Sequence, residues 1–225
     1  MRRNRARGIR GLALHACALT LAALAAGCGG SDDPEQPRQV GEAGGLEVYE
    51  VSSQGFSIGV PPDWRVVSVD EALPEEDRQE LARENPDFAP MLEALADESQ
   101  PIKLFAFDPD VRDGFATNVN VIAVELPGGV GLEEFVSANK GDIERFSGLS
   151  GEVDSASVEL PSGAAERLDY RLRVTSGEAE QEVATRQYLL VADEKGYVVT
   201  FSTLPQHSTR YEPEFDQIAR SLEVD

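Results

Sequence analysis

The sequence predicts an α+β domain in which helices pack on an antiparallel β-sheet. Apolar residues alternate with period two in many short stretches, such as "GFSIGV" at 55–60 and "FATNVNVIAVEL" at 115–126, which is typical of half-buried strands. Several of these stretches are joined by short turn sequences, which favour hairpins and therefore antiparallel pairing. Three further stretches have helical periodicity, and we expect those helices to pack on the sheet.

The chain begins with the features of an export signal. "MRRNRARGIR" carries five arginines and no acid, and residues 11–28 are almost entirely apolar or small. That run ends in Ala25-Ala26-Gly27-Cys28, which resembles the lipobox of bacterial lipoproteins, where the cysteine is lipid-modified and the chain is cut before it. We expect 1–27 to be a signal peptide and Cys28 to carry acyl chains such as palmitate. The alternative is an ordinary signal that is cleaved near residues 23–25.

The charge and composition of the chain limit the classes of partner and cofactor that it can bind. The chain has a net charge of −21, and losing the five arginines of residues 1–27 brings it to −26. Such a chain repels nucleic acid and anionic lipid, so we expect no nucleic-acid partner and membrane attachment through acyl chains only. One cysteine and one histidine, Cys28 and His207, would remain after cleavage. They cannot form an internal disulfide or a Cys/His zinc site, and we expect no cofactor.

A flexible tether is predicted at 28–45, because residues 29–45 are rich in Gly, Pro and acids and contain almost no apolar residue. Residues 46–225 have the length of one domain.

The elements of this domain follow from periodicity. Strands are predicted at 46–51, 56–60, 101–108, 115–126, 153–161, 164–175, 181–193 and 196–204, with a further short one after Trp64. Helices are predicted at 132–146 and from a capping box, Thr209-x-x-Glu212, to the C-terminus. Between the early strands, residues 70–100 form a helical insert with helices at 74–84 and 86–97.

The order of parts resembles the PsbP/Mog-type α/β/α sandwich family, and more closely the small actinobacterial lipoproteins of the Lpq kind. The resemblance covers nearly all of 46–225 and rests on "GFSIGVPPDW", "LFAF", "NVNVIAVEL", "LEEFV", "VELPSGAAERLDYR", "YLLVADEKGYVVTFST" and "FDQIARSLEV". It implies an α/β/α sandwich and a mostly non-catalytic role, since some members assist photosystem assembly and some bind a small GTPase. The insert at 70–100 is longer than is usual in that family.

Ser57 lies in a Gly-x-Ser-x-Gly pattern, which is also that of the nucleophile elbow of α/β-hydrolases. An elbow requires a sharp turn at the serine followed by a helix. Here the strand alternation continues past Ser57 and Pro61-Pro62 follows, so we interpret Ser57 as a strand residue and His207 as a loop residue. The sequence therefore predicts a protein that is not an enzyme.

Three aspartates, Asp108, Asp110 and Asp113, lie in the loop "DPDVRDG" and make it a calcium candidate. The EF-hand pattern is not met, because Arg112 and Val119 occupy positions where acids are required. An acidic hairpin turn explains the loop better, and we predict no metal site.

Two apolar features are possible contacts for a partner or ligand. Trp64 either anchors the sheet or lines a groove. The predicted helix at 86–97 places four large apolar residues on one face: Phe88, Met91, Leu92 and Leu95.

These observations predict a non-enzymatic, membrane-anchored lipoprotein of the bacterial cell envelope, exposed on the extracytoplasmic face of a membrane. It would act as an accessory domain or binding module for an envelope protein partner. The alternative is a carrier of an apolar or lipid ligand, held between the sheet and the helices.

Overall fold

A computed structural model describes residues 37–67, 102–176 and 179–225. Within these ranges the strands are β1 (Arg38–Ala43), β2 (Leu46–Val51), β3 (Phe56–Val60), β4 (Arg65–Val67), β5 (Ile102–Phe107), β6 (Asn118–Glu125), β7 (Asp154–Leu160), β8 (Gly163–Ser176), β9 (Ala179–Ala192), β10 (Lys195–Thr203) and β11 (Glu223–Val224). The helices are α1 (Leu132–Arg145) and α2 (Ser208–Arg220), with short 3₁₀ turns at Ser52–Gln54 and Pro205–His207.

The strands form two sheets in which neighbours run antiparallel, which confirms the predicted α+β class. The larger sheet has seven strands in the order β4-β5-β6-β10-β9-β8-β7, and the smaller has four in the order β1-β2-β3-β11. The long β8–β9 hairpin and the β9–β10 hairpin build the centre and one side of the larger sheet. The predicted hairpin turn at "VADEKGYVV" is confirmed, with Asp193 and Glu194 both at positive φ as a two-residue turn of this kind requires.

Two apolar layers lie on opposite faces of the larger sheet. On one face α1 packs through Phe135 and Ile143 against residues that include Leu168, Leu189 and Val198. On the other face the smaller sheet and α2 together enclose the second layer, whose buried members include Phe56, Ile58, Val121, Tyr188, Phe201, Phe215 and Ile218. The domain is thus a sandwich with the larger sheet in the middle.

The periodicity of α2 explains its position. Tyr211, Phe215, Ile218 and Ala219 are buried and recur at the spacing of one helical face. Phe215 stacks on Phe201 of β10, with ring centroids 4.6 Å apart. This stacking fixes α2 against the larger sheet and positions its polar residues at the two sides of that contact.

The start of α2 differs from the predicted capping box. The helix begins at Ser208, one residue before Thr209, and no side chain caps it. The reason is the 3₁₀ turn at Pro205–His207, which leads the backbone into the helix before Thr209 is reached. The hydroxyl of Ser208 donates instead to the carbonyl of Pro205, at 2.8 Å.

The tether prediction is wrong for residues 38–43. They form strand β1, which pairs with β2 across a turn at Gly44 and Gly45, both at positive φ. All six residues of β1 are exposed, so this strand has none of the apolar alternation by which strands were recognised. The predicted insert at 70–100, with its helices at 74–84 and 86–97, lies outside the described residues. The strands that flank it, β4 and β5, pair with Val67 opposite Phe105.

Candidate functional site

Ser57 is a strand residue, as predicted. Strand β3 continues to Val60, and Ser57 lies opposite Glu50 of β2 and Glu223 of β11. The chain then turns through Pro61 without starting a helix, with the Trp64 amide donating to the Pro61 carbonyl at 3.0 Å. The geometry of a nucleophile elbow is therefore missing at Ser57.

His207 contacts the loop that follows β5. Its Nε2 lies 3.1 Å from Oδ2 of Asp113, which also accepts a hydrogen bond from the Gln206 amide at 3.2 Å. These bonds, from Gln206 and then His207, hold the pKa of Asp113 below its usual value. His207 ends the 3₁₀ turn that connects β10 to α2, where the sequence predicted a loop, and it holds the turn at Asp113 against the start of α2.

The three aspartates of the calcium candidate are engaged separately. Asp108 accepts from the Asp110 amide and from the Tyr211 hydroxyl, Asp110 pairs with Arg112, and Asp113 binds His207. Asp113 and Gly114, both at positive φ, form the tip of a small hairpin. Within the described ranges no group of three His, Cys, Asp or Glu side chains is placed to hold a metal ion. The acidic hairpin turn explains this loop.

Trp64 lies in the core, with 6% of its surface exposed, and packs in the layer shared by α2 and the smaller sheet. That position leaves little of the ring for a partner, and it agrees with an anchoring role. An interaction with Trp64 lowers the pKa of Glu214 in α2, against the larger effect of burial, which raises it. The other proposed contacts, Phe88, Met91, Leu92 and Leu95, lie outside the described residues, as does Cys28.

A groove that sequence reasoning missed runs between α2 and the strands β7–β9. We call it the α2 groove. It has a volume of about 470 Å³ and is open to solvent. Its charged lining residues are Glu152, Asp154, Asp169, Arg171, Arg186 and Glu212. Phe215, Thr203 and the first residues of α2 also line it.

Arg186 is the centre of the α2 groove. Its side chain is 15% exposed and its guanidinium group contacts three carboxylates: Asp169 at 2.6 Å, Glu212 at 3.1 Å and Asp216 at 3.3 Å. Asp169 belongs to the sheet and the other two to α2, so one guanidinium group joins the helix to the sheet. We call these four residues the Arg186 network.

Two further groups extend the Arg186 network. Arg167 lies 2.8 Å from the second oxygen of Asp169, and the Tyr188 hydroxyl donates to Asp216 at 2.6 Å. Burial would lower the pKa of Arg186, but the hydrogen bond and charge of Asp169, with Glu212, raise it. Burial, and then the bond to Asp216, raise the pKa of Tyr188. The guanidinium group and the phenol therefore keep their protons.

A signal for this network is present in the sequence. In "TRQYLL", Arg186 lies on the same strand face as Tyr188 and Leu190, which are both buried. A charge on a core-facing strand position requires a partner of opposite charge. The sequence does not identify that partner, because Asp169 and Asp216 come from other elements.

A second polar junction lies on another side of α2. Trp64 acts on Glu214, whose Oε1 is enclosed and has no hydrogen-bond partner among the described residues. Burial first, and then the charges of Asp63 and Asp108, raise the pKa of Glu214; Arg210 and Trp64 oppose them. We call Glu214, Trp64, Asp63 and Asp108 the Glu214 junction.

Comparison with known proteins identifies the fold. No protein-family model matches the sequence, and no curated protein sequence does. The solution structure of cyanobacterial PsbP (CyanoP) from Synechocystis sp. PCC 6803 is similar, with a TM-score of 0.54 and 16% identity, over 89% of this chain and 98% of that chain.

Two other solved structures are similar at lower scores. LpqN, involved in cell envelope biogenesis of Mycobacterium tuberculosis, has a TM-score of 0.48 and 12% identity over 75% of this chain and 82% of that chain. The Ran-binding protein Mog1p of Saccharomyces cerevisiae has a TM-score of 0.45 and 12% identity over 80% and 95%. The likeness to CyanoP shows that this chain has a PsbP/Mog-like fold, which confirms the resemblance seen in the sequence.

Proposed function

We propose that this protein is a non-catalytic binding domain of the bacterial cell envelope, anchored by lipid at Cys28 on the extracytoplasmic face of a membrane. It docks a positively charged protein partner in the α2 groove.

The charge of the α2 groove is the observation that carries this proposal. Four carboxylates line it, against the guanidinium groups of Arg171 and Arg186. Both guanidinium groups already have acidic partners, since Arg186 contacts three carboxylates and Arg171 lies 3.5 Å from Glu182. At the rim, Glu152 and Asp154 are exposed. An arriving cation therefore meets carboxylate oxygens, whereas an arriving anion is repelled.

The same lining argues against an apolar ligand in this groove. Acyl chains bind in cavities that are mostly apolar and enclosed, and this groove is open and lined by charged and hydroxyl side chains. The aromatic ring among the lining residues, Phe215, is already stacked on Phe201 and Tyr211. A lipid site against the predicted helix at 86–97 remains a separate prediction, because that helix lies outside the described residues.

The attachment part of the proposal rests on the run of apolar and small residues at 11–28, which ends in Cys28. Among the described residues, no helix is both long and apolar enough to cross a membrane. Cys28→Ser should move the protein from the membrane fraction to the soluble fraction of the cells that produce it. A variant that stays in the membrane fraction after a high-salt wash would contradict lipid anchoring.

Partner binding is tested by charge reversal in the α2 groove. Chemical cross-linking of intact envelopes should give a cross-linked product with the wild type, and Glu152→Lys with Asp154→Lys should abolish it. The matched control is Glu133→Lys with Glu134→Lys, an equal charge change on exposed residues of α1, across the larger sheet. A product that survives the groove variant and is lost in the control would assign the partner to the α1 face instead.

Lipid analysis of a detergent-free preparation tests the carrier alternative.

A further inference from the structure

Strand β7 forms one edge of the larger sheet. Among the described strands it pairs with β8 alone, from Asp154 opposite Asp169 to Leu160 opposite Gly163, and the pairing has no bulge. Four of its seven residues are exposed and two more are half-buried, so this edge is open to solvent. One side of its backbone therefore offers N–H and C=O groups to an incoming strand.

The register of the β7–β8 hairpin determines which peptide groups face outward. The hairpin closes on the pair Leu160 and Gly163 across a two-residue turn. Hydrogen-bonded pairs alternate with non-bonded pairs along an antiparallel ladder, and the pair that closes such a turn is a hydrogen-bonded one. The peptide groups of Ser155, Ser157 and Glu159 therefore point away from β8.

The other three edge strands that the structure describes have features that oppose the addition of a strand. β4 has three residues and β11 has two. β1 contains a bulge between Gln39 and Gly41. Short strands and bulges are common protection for a sheet edge, as are proline and lysine. β7 has seven regular residues and contains neither proline nor lysine.

The surroundings of β7 are acidic. Asp154 and Glu159 belong to the strand and Glu152 precedes it, whereas no lysine or arginine occurs between Arg145 and Arg167. Within the described ranges these three carboxylates have no ion-pair partner. A basic segment is therefore attracted to this edge, and a second copy of this acidic chain is repelled.

β7 also leads into the α2 groove. Val158 and Leu160 pack in the apolar layer that α2 covers. Because side chains alternate along a strand, Asp154 and Ala156 project from the same face, and Asp154 lines the groove together with Glu152. A strand added beside β7 would place every second side chain at the mouth of the α2 groove.

We propose that the partner binds as an extended basic segment that adds a strand to β7. This inference rests on the proposed function: the α2 groove supplies the attraction for the cationic side chains, and the edge supplies the backbone hydrogen bonds. In this mode of recognition the main-chain bonds provide affinity and the alternate side chains provide specificity. Lysine or arginine at every second position would reach Asp154 and Glu152.

NMR spectroscopy of the purified, ¹⁵N-labelled full chain with two synthetic peptides tests the proposal. The probe is acetyl-Lys-Thr-Lys-Val-Lys-Thr-Lys-amide, and its control is the same peptide with N-methyl groups on its three central residues, which keeps the charge and blocks strand pairing. Only the probe should shift the amide signals of Ser155, Ser157 and Glu159. At saturation it should slow hydrogen exchange at those amides by about tenfold or more.

Two variants of one residue sharpen the test. Ser157→Pro removes an outward N–H at the centre of β7 and should abolish the response to the probe, whereas Ser157→Ala keeps that N–H and should retain it. Unchanged amide signals of α2 would show that the proline variant is folded.

Three results would overturn the addition of a strand: equal responses to both peptides, no response to either, or a strand edge that pairs with a second copy. The last would appear as broadening of the β7 signals with rising protein concentration in the absence of peptide. Equal responses would leave the charged α2 groove in place, and the cross-linking of Glu152→Lys with Asp154→Lys in envelopes tests that groove independently.

Discussion

The two polar junctions of α2 place carboxylates of one helix in opposite situations. Glu212 and Asp216 both form ion pairs with Arg186, whose side chain is 15% exposed. Glu214 has an enclosed Oε1 that meets no hydrogen-bond donor within the described ranges, and Asp63 and Asp108 act on it as like charges. The three acids lie within five residues. The surroundings of each side chain, and not the helix that carries it, decide whether it meets a cation or like charges.

The largest effect should come from removing the common partner in the Arg186 network. Arg186→Ala leaves Asp169, Glu212 and Asp216 without their cation in a partly enclosed site, so the free energy of unfolding should fall by about 3 kcal/mol. Urea unfolding at neutral pH measures this. The control is Arg171→Ala, whose side chain is 58% exposed and whose ion pair is 3.5 Å long; its cost should stay below about 1 kcal/mol. Equal costs for both variants would mean that the network contributes no more than a surface pair.

A smaller effect is expected at Tyr188, which links the network to the core. Tyr188→Phe keeps the edge-to-face contact with Phe201 and removes the hydroxyl that donates to Asp216 at 2.6 Å. The loss should be about 2 kcal/mol, as for one hydrogen bond to a charged acceptor. In the Arg186→Ala background the cost should differ from that in the wild type, because both residues serve Asp216. Strict additivity in this double-mutant cycle would separate Tyr188 from the network.

The exposed member of the network should matter least to stability. The Glu212 side chain is 52% exposed, and solvent screens its ion pair with Arg186. We expect Glu212→Gln to cost less than about 1 kcal/mol at neutral pH, whereas Glu214→Gln should leave stability unchanged or raise it at the same pH. Urea unfolding of the two variants side by side checks the contrast. If Glu214→Gln is the more damaging of the two at neutral pH, the carboxylate form must be well served at that junction.

The smallest effect is expected at Asp63, which is exposed and acts on the pKa of Glu214 only through its charge. Asp63→Asn removes one of the two like charges that raise the pKa of Glu214, so the midpoint of the Glu214 titration, followed by NMR of its carboxyl carbon, should move toward pH 4.5. High salt should reduce the difference between wild type and variant. An unchanged midpoint at low salt would leave burial and Asp108 as the causes of the shift.

Local pattern was sufficient for most of the fold. The inner face of α2 follows from the spacing of Tyr211, Phe215 and Ile218, and the strand at Ser57 follows from the apolar residues on both sides of it. Strand β1 was missed for the same reason, since an exposed strand has no apolar alternation to recognise.

What the sequence by itself determined was therefore the type of each apolar element and the face that each one buries. The tertiary structure decided the rest. It placed β3 in the smaller sheet, between β2 and β11, and it brought Asp169, Glu212 and Asp216 together at Arg186. Periodicity determines which residues of an element point inward, because it is a property of neighbouring residues. It does not determine which distant element they meet. Partners such as Arg186 and Asp216, 30 positions apart, are brought together only when the layers pack, and burial in that packing raises the pKa of a carboxyl group such as that of Glu214.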